Sequence, residues 1–209
     1  MTREEAQQWL QDTLDVSRET LDQLAQLEQS TIESNTHQNL IARSTIEDFW
    51  RRHLIDSAQL LLFAKRESAV WLDLGSGAGF PGLVIALLSK YDVVLSGERR
   101  KRADHLEAMI AQLKLSNASV LRGRIETQKT APFAVISARA FAPLERLFAL
   151  AHHLSSPETL WLLPKGKSAA SELEVARITW QGDFRIEPSV TDPDGAIIVA
   201  TGVQPRRRR

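Results

Sequence analysis

The chain has 209 residues, with 26 basic and 26 acidic residues, no cysteine and a formal net charge of zero. This length fits one domain, or one domain with an added terminal element, and a hydrophobic fraction of 43% is ordinary for a soluble globular protein. The lack of cysteine excludes disulfides and thiolate metal sites. The N-terminal sequence has no signal-peptide pattern and the apolar runs are too short for a membrane span, so we expect a cytoplasmic protein.

The first residues of the chain carry helix-start signals. Thr2 and Glu5 have the spacing of a capping box, and Ser17 is suited to cap a second helix whose leucines recur at helical spacing. Neither helix has a residue pattern that indicates catalysis or ligand binding. We therefore expect both to pack on the main domain.

A further helical segment is predicted from Thr45 onward. It places Arg52, His53 and Asp56 within one turn. A single histidine in such a position is more often a packing residue than a catalyst, and the neighbouring arginine and aspartate either hold it or face a ligand.

The stretch Val70–Gly82, VWLDLGSGAGFPG, is the most informative part of the sequence. An apolar run containing Asp73 ends in a glycine-rich turn, and a second apolar run follows it. Strand, glycine-rich turn and helix form the opening of a nucleotide-binding βαβ unit. Pro81 suits the first turn of the helix, where its missing N–H costs nothing.

The glycine spacing leaves two cofactor classes open. Gly77, Gly79 and Gly82 satisfy the G-x-G-x-x-G pattern of dinucleotide-binding turns. However, Asp73 followed by G-x-G-x-G is similar to motif I of S-adenosylmethionine-dependent methyltransferases, where the acid helps to hold the methionine end of the cofactor. A phosphate-binding turn gains little from a carboxylate so near the anion, because like charges repel.

Strands alternate with helices through the rest of the chain, which predicts an α/β fold with a parallel sheet wound on both faces. Two late strands joined by a short turn predict an antiparallel hairpin at one edge. The predicted strands are Asp92–Ser96, Ala118–Leu121, Phe133–Ser137, Thr159–Leu163, Arg185–Val190 and Ala196–Thr201, with helices at Lys101–Leu113 and Leu144–Leu154.

The basic residues are clustered although the net charge is zero. The clusters are Arg51–His53, Arg99–Arg102, Arg122–Arg124 and Arg206–Arg209. Such clusters can contact nucleic acid, although any one of them alone is more often a solvated surface. The terminal arginines are expected to be disordered.

Six motifs in order along the chain resemble one family, the bacterial 16S ribosomal RNA guanine-N7 methyltransferases known as RsmG or GidB. They are NLIA (39–42), RHLIDS (52–57), LDLGSGAGFPG (72–82), GRIE (123–126), SARAFA (137–142) and PKG (164–166). The resemblance implies a class I methyltransferase fold with a seven-stranded, mostly parallel sheet. It divides the chain into an N-terminal helical extension over residues 1–60, a methyltransferase core over 61–203 and a basic tail over 204–209.

The resemblance also implies an activity and its partners. The protein would transfer a methyl group from S-adenosylmethionine to N7 of a guanosine in the 530-loop region of 16S ribosomal RNA, without a metal. Its partner would be this RNA or the small ribosomal subunit. Separately, no exposed heptad pattern or long edge strand in the sequence calls for a dimer, so we expect a monomer.

Two sets of candidate site residues follow, of which the resemblance, carried over by position, supplies Gly75, Phe80, Ile125, Glu126 and Arg139, while the glycine motif and the basic clusters supply the others. The cofactor-binding set is Asp73, Gly75, Gly77, Gly79, Phe80, Glu98, Ile125, Glu126 and Arg139. The RNA-binding set is Arg52, His53, Arg100, Lys101, Arg139 and Lys165. Arg139 and Lys165 are further expected to position the substrate by holding RNA phosphate or the O6 edge of guanine.

One cofactor position departs from the family pattern. The family's usual acid at the end of the second strand, which holds the ribose hydroxyls of the cofactor, is replaced here by Gly97, and the acid stands at Glu98. A one-residue shift turns a strand side chain to the other face, so Glu98 is expected to serve only if the chain bulges there.

The expected chemistry needs alignment more than proton transfer. N7 of neutral guanine carries an exposed in-plane lone pair, so no general base or catalytic triad is expected. Three alternatives remain open from the residues: a methyltransferase acting on another substrate, an NAD-binding oxidoreductase, and a non-catalytic ribosome-binding relative.

Overall fold

A seven-stranded sheet forms the centre of the computed structural model, which describes residues 1–64 and 69–206. The strands are β1 (Val70–Leu74), β2 (Asp92–Gly97), β3 (Ala118–Arg122), β4 (Val135–Ala138), β5 (Leu160–Lys165), β6 (Trp180–Pro188) and β7 (Ala196–Pro205). Their order across the sheet is β3-β2-β1-β4-β5-β7-β6. Strands β1 to β5 are parallel, and β7 runs antiparallel to both of its neighbours, which confirms the predicted fold class.

Helices cover the sheet on both sides. The regular helices are α1 (Arg3–Leu14), α2 (Arg18–Asn35), α3 (Asp56–Ala58), α4 (Gly82–Leu88), α5 (Arg100–Gln112), α6 (Leu144–Ala151) and α7 (Ala169–Thr179). Side chains of β1 alternate between the two faces: Trp71 lies in one apolar cluster, and Leu72 and Leu74 lie in the other. A sheet buried on both faces explains why the parallel strands read as nearly continuous apolar runs.

The N-terminal helices pack on the face of the sheet that carries Trp71. The capping box is confirmed, because the Thr2 N–H donates to Glu5 Oε2 at 2.7 Å and the Glu5 N–H donates to Thr2 Oγ1 at 3.2 Å. Leu10 of α1 and Leu24 of α2 are fully buried in the same cluster as Trp71. Burial of these leucines, more than helix propensity, stabilises the two helices.

The segment predicted as one helix from Thr45 is helical but irregular. A 3₁₀ turn at Arg43–Thr45 precedes a π-helical turn at Trp50–Ile55, which continues through α3 into a 3₁₀ turn at Gln59–Leu62. The Ser57 hydroxyl donates to the backbone carbonyl of His53 at 2.6 Å, and such side-chain bonds compete with regular helix bonds. We call residues 50–62 the irregular helix; π-helical turns of this kind are frequent at functional sites.

The C-terminal part differs most from the sequence prediction. Helix α7 was not predicted, because exposed Val175 and Ile178 obscure its apolar periodicity. The predicted hairpin is present, but β6 spans Trp180–Pro188 where Arg185–Val190 was predicted, and β7 continues beyond Thr201 to Pro205. Within the terminal basic cluster, the N–H of Arg206 donates to the carbonyl of Thr179 at 2.7 Å, whereas residues 207–209, also predicted to be disordered, lie outside the described residues.

In the described ranges, no helix combines the length and the apolar character needed to cross a membrane.

Candidate functional site

The turn after β1 needs glycine for its backbone shape. Gly75, Gly77 and Gly79 have φ angles of +64°, +59° and +107°, a region that side chains with a Cβ disfavour. The Gly75 N–H donates to Ser96 Oγ at 2.7 Å, which ties the turn to the end of β2. The phenyl ring of Phe141 occupies the space that a Cβ on Gly75 would need.

The buried carboxylate of Asp73 holds this glycine-rich turn in place through hydrogen bonds. Its side chain is fully buried; Oδ1 accepts from Ser137 Oγ at 2.9 Å and Oδ2 accepts from the Gly82 N–H at 3.1 Å. Burial raises the pKa of Asp73 to about 6, although these hydrogen bonds oppose the rise. The carboxylate therefore joins β1 to β4 and to the start of α4, and orders the glycine turn through the backbone.

A cavity of ≈ 260 Å³, here called the smaller cavity, opens above this turn. Residues on its walls include Gly75, Ser96, Glu98, Ile125, Glu126 and Phe141. Four of these, Gly75, Glu98, Ile125 and Glu126, were predicted from the sequence to bind the cofactor. Their convergence follows from the fold, because the carboxyl ends of parallel strands meet at one edge of the sheet.

Glu98 reaches the smaller cavity without the bulge that the sequence analysis required. Pairing of β2 with β3 runs without a shift to Gly97 and Arg122, so β2 has no bulge before Glu98. Glu98 follows the strand directly and already belongs to the turn. Gly97 packs tightly instead, since a Cβ there would lie 3.3 Å from the backbone N and Cα of Ala103.

A cavity of ≈ 760 Å³, here called the larger cavity, lies beside the smaller one. The irregular helix, the loop after β4, the end of β5 and the β6–β7 turn surround it. Phe141 and Ala142 line both cavities, so the two spaces adjoin at the loop after β4. Neither the joint position of Phe141 nor the part played by the β6–β7 turn was anticipated from the sequence, although Phe141 lies within the SARAFA motif.

Arg139, at the end of β4, is bound to the irregular helix. Its Nη1 donates to Asp56 Oδ2 at 3.1 Å and to the carbonyl of Arg52 at 2.9 Å, and its Nη2 donates to His53 Nδ1 at 3.1 Å. The guanidinium carbon lies 5.5 Å from the centre of the Phe80 ring, within cation–π range. The structure thus brings together residues from three of the sequence motifs: Arg52, His53 and Asp56 of RHLIDS, Phe80 of the glycine-rich turn and Arg139 of SARAFA.

His53 is a buried, neutral member of this group. Its ring lies 5.1 Å from the ring of Phe80 and its Nε2 lies 2.8 Å from Thr45 Oγ1. Burial, and then the charges of Arg139 and Arg52, lower the pKa of His53 to about 3. Because Arg139 donates to Nδ1, the neutral ring carries its proton on Nε2, and His53 supplies no positive charge near pH 7.

Lys165, at the end of β5, is held in an ion pair and is not a solvated lysine. Its Nζ donates to Glu172 Oε2 at 2.7 Å and to the carbonyl of Ala142 at 2.9 Å, and its side chain is only 12% exposed. Glu172 also accepts from the Leu144 N–H at 3.0 Å. The pair therefore braces the loop after β4, which separates the two cavities.

Two of the four basic clusters are largely neutralised by neighbouring acids. Arg51 pairs with Asp48, and Arg122 lies 2.7 Å from both Asp104 and Glu107. The hydrogen bonds that Arg122 donates to Glu107 and Asp104 raise the pKa of Arg122 above its usual range. These arginines contribute little net positive potential.

Of the three basic clusters that lie wholly within the described residues, the one at the start of α5 is the least neutralised. Arg99 and Lys101 are exposed and have no carboxylate within 4 Å among the residues that the structure describes, and Arg100 lies 3.8 Å from Asp104. These side chains stand beside Glu98, at the same edge of the sheet as both cavities. We call Arg99–Lys101 the basic corner.

Comparisons with known proteins agree on family and fold. Residues 20–193 match the family model GidB, described as rRNA small subunit methyltransferase G. Proteins named ribosomal RNA small subunit methyltransferase G from Zymomonas mobilis and Rhizorhabdus wittichii are 50% and 51% identical to this chain. The two alignments cover 100% and 99% of this chain and 98% and 95% of those proteins.

Solved structures share the fold at low sequence identity. An O-methyltransferase from Bacillus cereus in complex with SAH superposes with a TM-score of 0.58 at 17% identity, over 93% of this chain and 96% of that one. A ribosomal protein L11 methylase from Lactobacillus delbrueckii gives a TM-score of 0.56 at 14% identity, over 72% and 77% of the two chains. The chain belongs to the rRNA small subunit methyltransferase G family and is an S-adenosylmethionine-dependent methyltransferase.

Proposed function

We propose that this protein transfers a methyl group from S-adenosylmethionine to N7 of a guanosine in the 530-loop region of 16S ribosomal RNA. Family membership supports ribosomal RNA as the substrate. The structural observation that carries the proposal is the pair of adjoining cavities at the carboxyl edge of the sheet, with Phe141 and Ala142 between them. One cavity has the lining expected for a nucleoside cofactor, and the other is large enough for a base.

The lining of the smaller cavity suits S-adenosylmethionine. Gly75 presents bare backbone, and Ile125 presents an apolar side chain that is 6% exposed, as an adenine ring requires. Glu98 and Glu126 offer carboxylates to the ribose hydroxyls. A hydrogen bond from its own backbone amide, and then one from Arg124, lower the pKa of Glu126, so it is ionised near pH 7.

The bound cofactor supplies a methyl group already activated on a sulfonium. N7 of neutral guanine needs no deprotonation, so the chain's own task is to align the base and to exclude water. The neutral, buried His53 suits this chemistry, because it packs beneath the substrate space without acting as a base.

Arg139 and Lys165 are proposed as positioning residues. Both are fixed by ion pairs in the walls of the larger cavity. Arg139 has five N–H bonds and Lys165 three, and the hydrogen bonds within the described chain use three and two of them. The remaining donors are available to RNA phosphate or to guanine O6. Full methylation after substitution of both residues would contradict this role.

RNA is expected to approach across the basic corner. A-form helices hide the major-groove edge, so a target N7 is accessible only in irregular or unpaired RNA. Exposed arginine and lysine side chains next to the cavities attract the backbone of such RNA. With this substrate, we expect the protein to act as a monomer in the cytoplasm.

The decisive experiment is methyl transfer from labelled S-adenosylmethionine to small ribosomal subunits that lack the modification, followed by nucleoside analysis. Labelled 7-methylguanosine, mapped to the 530 loop, is the expected product. A different methylated nucleoside would refute the N7 assignment.

A further inference from the structure

The proposed reaction raises a question of base selection, and the inference drawn here rests on that proposed function. Adenine and guanine both carry N7, so N7 itself does not distinguish them. The two purines differ on the pairing edge, where guanine presents the O6 acceptor and the N1–H and N2–H donors. Adenine presents a donor at N6 and an acceptor at N1. The major-groove edge also distinguishes them at O6 and N6, but there the reacting N7 must stay free, so contacts on the pairing edge offer the fullest selection of guanine.

A carboxylate is the side chain that matches two neighbouring donors, and three carboxylates line the larger cavity. Asp56 is already engaged, since Oδ2 accepts from Arg139 and Oδ1 accepts from Gln59 and Thr191. Glu172 is engaged as well, because it accepts from Lys165, from Ser168 and from a backbone N–H. Neither carboxylate is free to bind a base.

Asp192, the third carboxylate, is much less engaged. Its side chain is 40% exposed, and Oδ2 lies 3.3 Å from Arg52 Nη1, a long contact for an ion pair. Oδ1 accepts from the Asp194 N–H at 3.0 Å, as in an Asx turn. Arg52 is 43% exposed and lines the same cavity.

We propose that Arg52 and Asp192 together recognise the pairing edge of the target guanine. The guanidinium donates to O6, and the two carboxylate oxygens accept from N1–H and N2–H. This order of donor, acceptor, acceptor is the one that cytosine presents to guanine in a base pair. Adenine would place its N1 lone pair against the carboxylate, which is repulsive. A base held by its pairing edge leaves N7 free on the far side of O6.

The β6–β7 turn that carries Asp192 is fixed before any substrate arrives. Arg51 Nη1 donates to the carbonyl of Thr191 at 2.7 Å, and the Val190 N–H donates to Gln59 Oε1 at 2.9 Å. Arg51 and Gln59 both belong to the irregular helix, which also carries Arg52. The pair is therefore held on two elements that are bonded to each other, and preorganisation of this kind favours specific binding.

The test compares guanosine with inosine, which keeps O6, N1–H and N7 but lacks the N2 amino group. Small subunits are reconstituted with 16S RNA that carries inosine at the guanosine methylated by the wild-type protein, and kcat/KM is measured on both substrates. The variants are Asp192→Asn and, as a matched control, Asp194→Asn. Both lose one negative charge from the same turn, but Asp194 pairs with Lys167 outside the cavity lining. Asparagine retains an oxygen that accepts from the Asp194 N–H, so the turn is conserved.

For the wild type and for Asp194→Asn we expect inosine to lower kcat/KM about tenfold or more, the effect of one hydrogen bond to a charged group. For Asp192→Asn we expect kcat/KM on guanosine to be lower than that of the wild type by a similar factor. Its kcat/KM values on guanosine and on inosine should be nearly equal. Equal wild-type rates on both substrates, or an unchanged ratio in Asp192→Asn, would overturn the assignment. If the wild-type protein methylated no guanosine at N7, that result would contradict the proposed function itself, independently of how Arg52 and Asp192 contact the base.

Discussion

His53 shows how strongly the surroundings set the chemistry of one residue. In the unfolded chain its pKa is near 6.5, whereas in the folded protein burial, Arg139 and Arg52 lower the pKa to about 3. Between these pH values the unfolded chain binds a proton that the native protein does not bind. The free energy of unfolding therefore falls as the pH drops below about 6.5, and this contribution levels off near pH 3.

His53→Gln should remove this pH dependence while keeping an acceptor for Arg139 and a donor for Thr45. Asp73 complicates the wild-type curve, because its raised pKa of about 6 gives a contribution of opposite sign between pH 6 and about 4. The comparison of variant with wild type cancels that term. Between pH 7.5 and 5.5 we expect the wild type to lose about 1 kcal/mol more than the variant in urea unfolding. Parallel curves would contradict a depressed histidine pKa.

Glu98 is the second residue whose role can be tested alone. Glu98→Gln keeps the shape of the side chain but removes the charge offered to the ribose hydroxyls, so we expect about tenfold weaker binding of S-adenosylmethionine by titration calorimetry. Glu174→Gln, on the exposed surface of α7, is the control for lost charge.

Gly97→Asp gives a complementary measurement at the neighbouring position. Because Gly97 lies against the backbone of Ala103, an added side chain there should lower stability and should not restore binding to Glu98→Gln. Recovery of affinity in that double variant would instead show that the strand position, and not the turn, serves the ribose.

At the scale of elements, local sequence patterns were sufficient to predict the helices and strands whose burial follows a regular period. The βα units, the capping box and the edge hairpin were all predicted, because apolar runs and cap residues act within a few positions. Helix α7 was missed since its outer face carries apolar Val175 and Ile178. The irregular helix was predicted only as helical, and its irregularity was not anticipated, because nothing local reveals that Ser57 bonds the carbonyl of His53.

The contact between β1 and α4 depends on a glycine at position 82. A Cβ there would lie 2.9 Å from Asp73 Oδ2 and 2.9 Å from Leu95 Cδ2, both in the packed interior. Gly82→Ala should therefore lower the free energy of unfolding by about 1–3 kcal/mol.

Gly166→Ala is the matched control for this prediction, because a Cβ at Gly166 meets nothing within 4 Å and its φ is not positive. Chemical denaturation of both variants measures the difference. A stable Gly82→Ala protein would mean that β1 and α4 can separate without cost.

At the scale of the whole molecule, the sequence located the site better than it described the contacts there. Glycines and acids that follow parallel strands were predicted to converge, and Gly75, Glu98 and Glu126 do so. The bonds of Arg139 to His53 and of Arg52 to Asp192 join residues 86 and 140 positions apart. Such pairs arise from tertiary packing, and no local pattern in a single sequence specifies them.

The distribution of charge over the molecule predicts where RNA binds. The basic corner lies at the edge of the sheet that bears both cavities, whereas Lys90 and Lys114 are exposed at the opposite ends of β2 and α5. Helix α5 has 13 residues and so separates the two sites by about 20 Å. We expect Arg99→Gln/Lys101→Gln to weaken RNA binding, and Lys90→Gln/Lys114→Gln, with the same loss of charge, to bind RNA as the wild type does.

The salt dependence of binding identifies the cause. If both side chains of the basic corner contact phosphates, the slope of log K against log salt concentration should decrease in magnitude by roughly 1.4 in the first variant, about 0.7 for each contact with single-stranded RNA. Affinity for S-adenosylmethionine should be unchanged in both variants, since the smaller cavity keeps its lining. Equal slopes in the two double variants would show that RNA senses only the net charge of the protein, and would remove the basic corner from the path of the substrate.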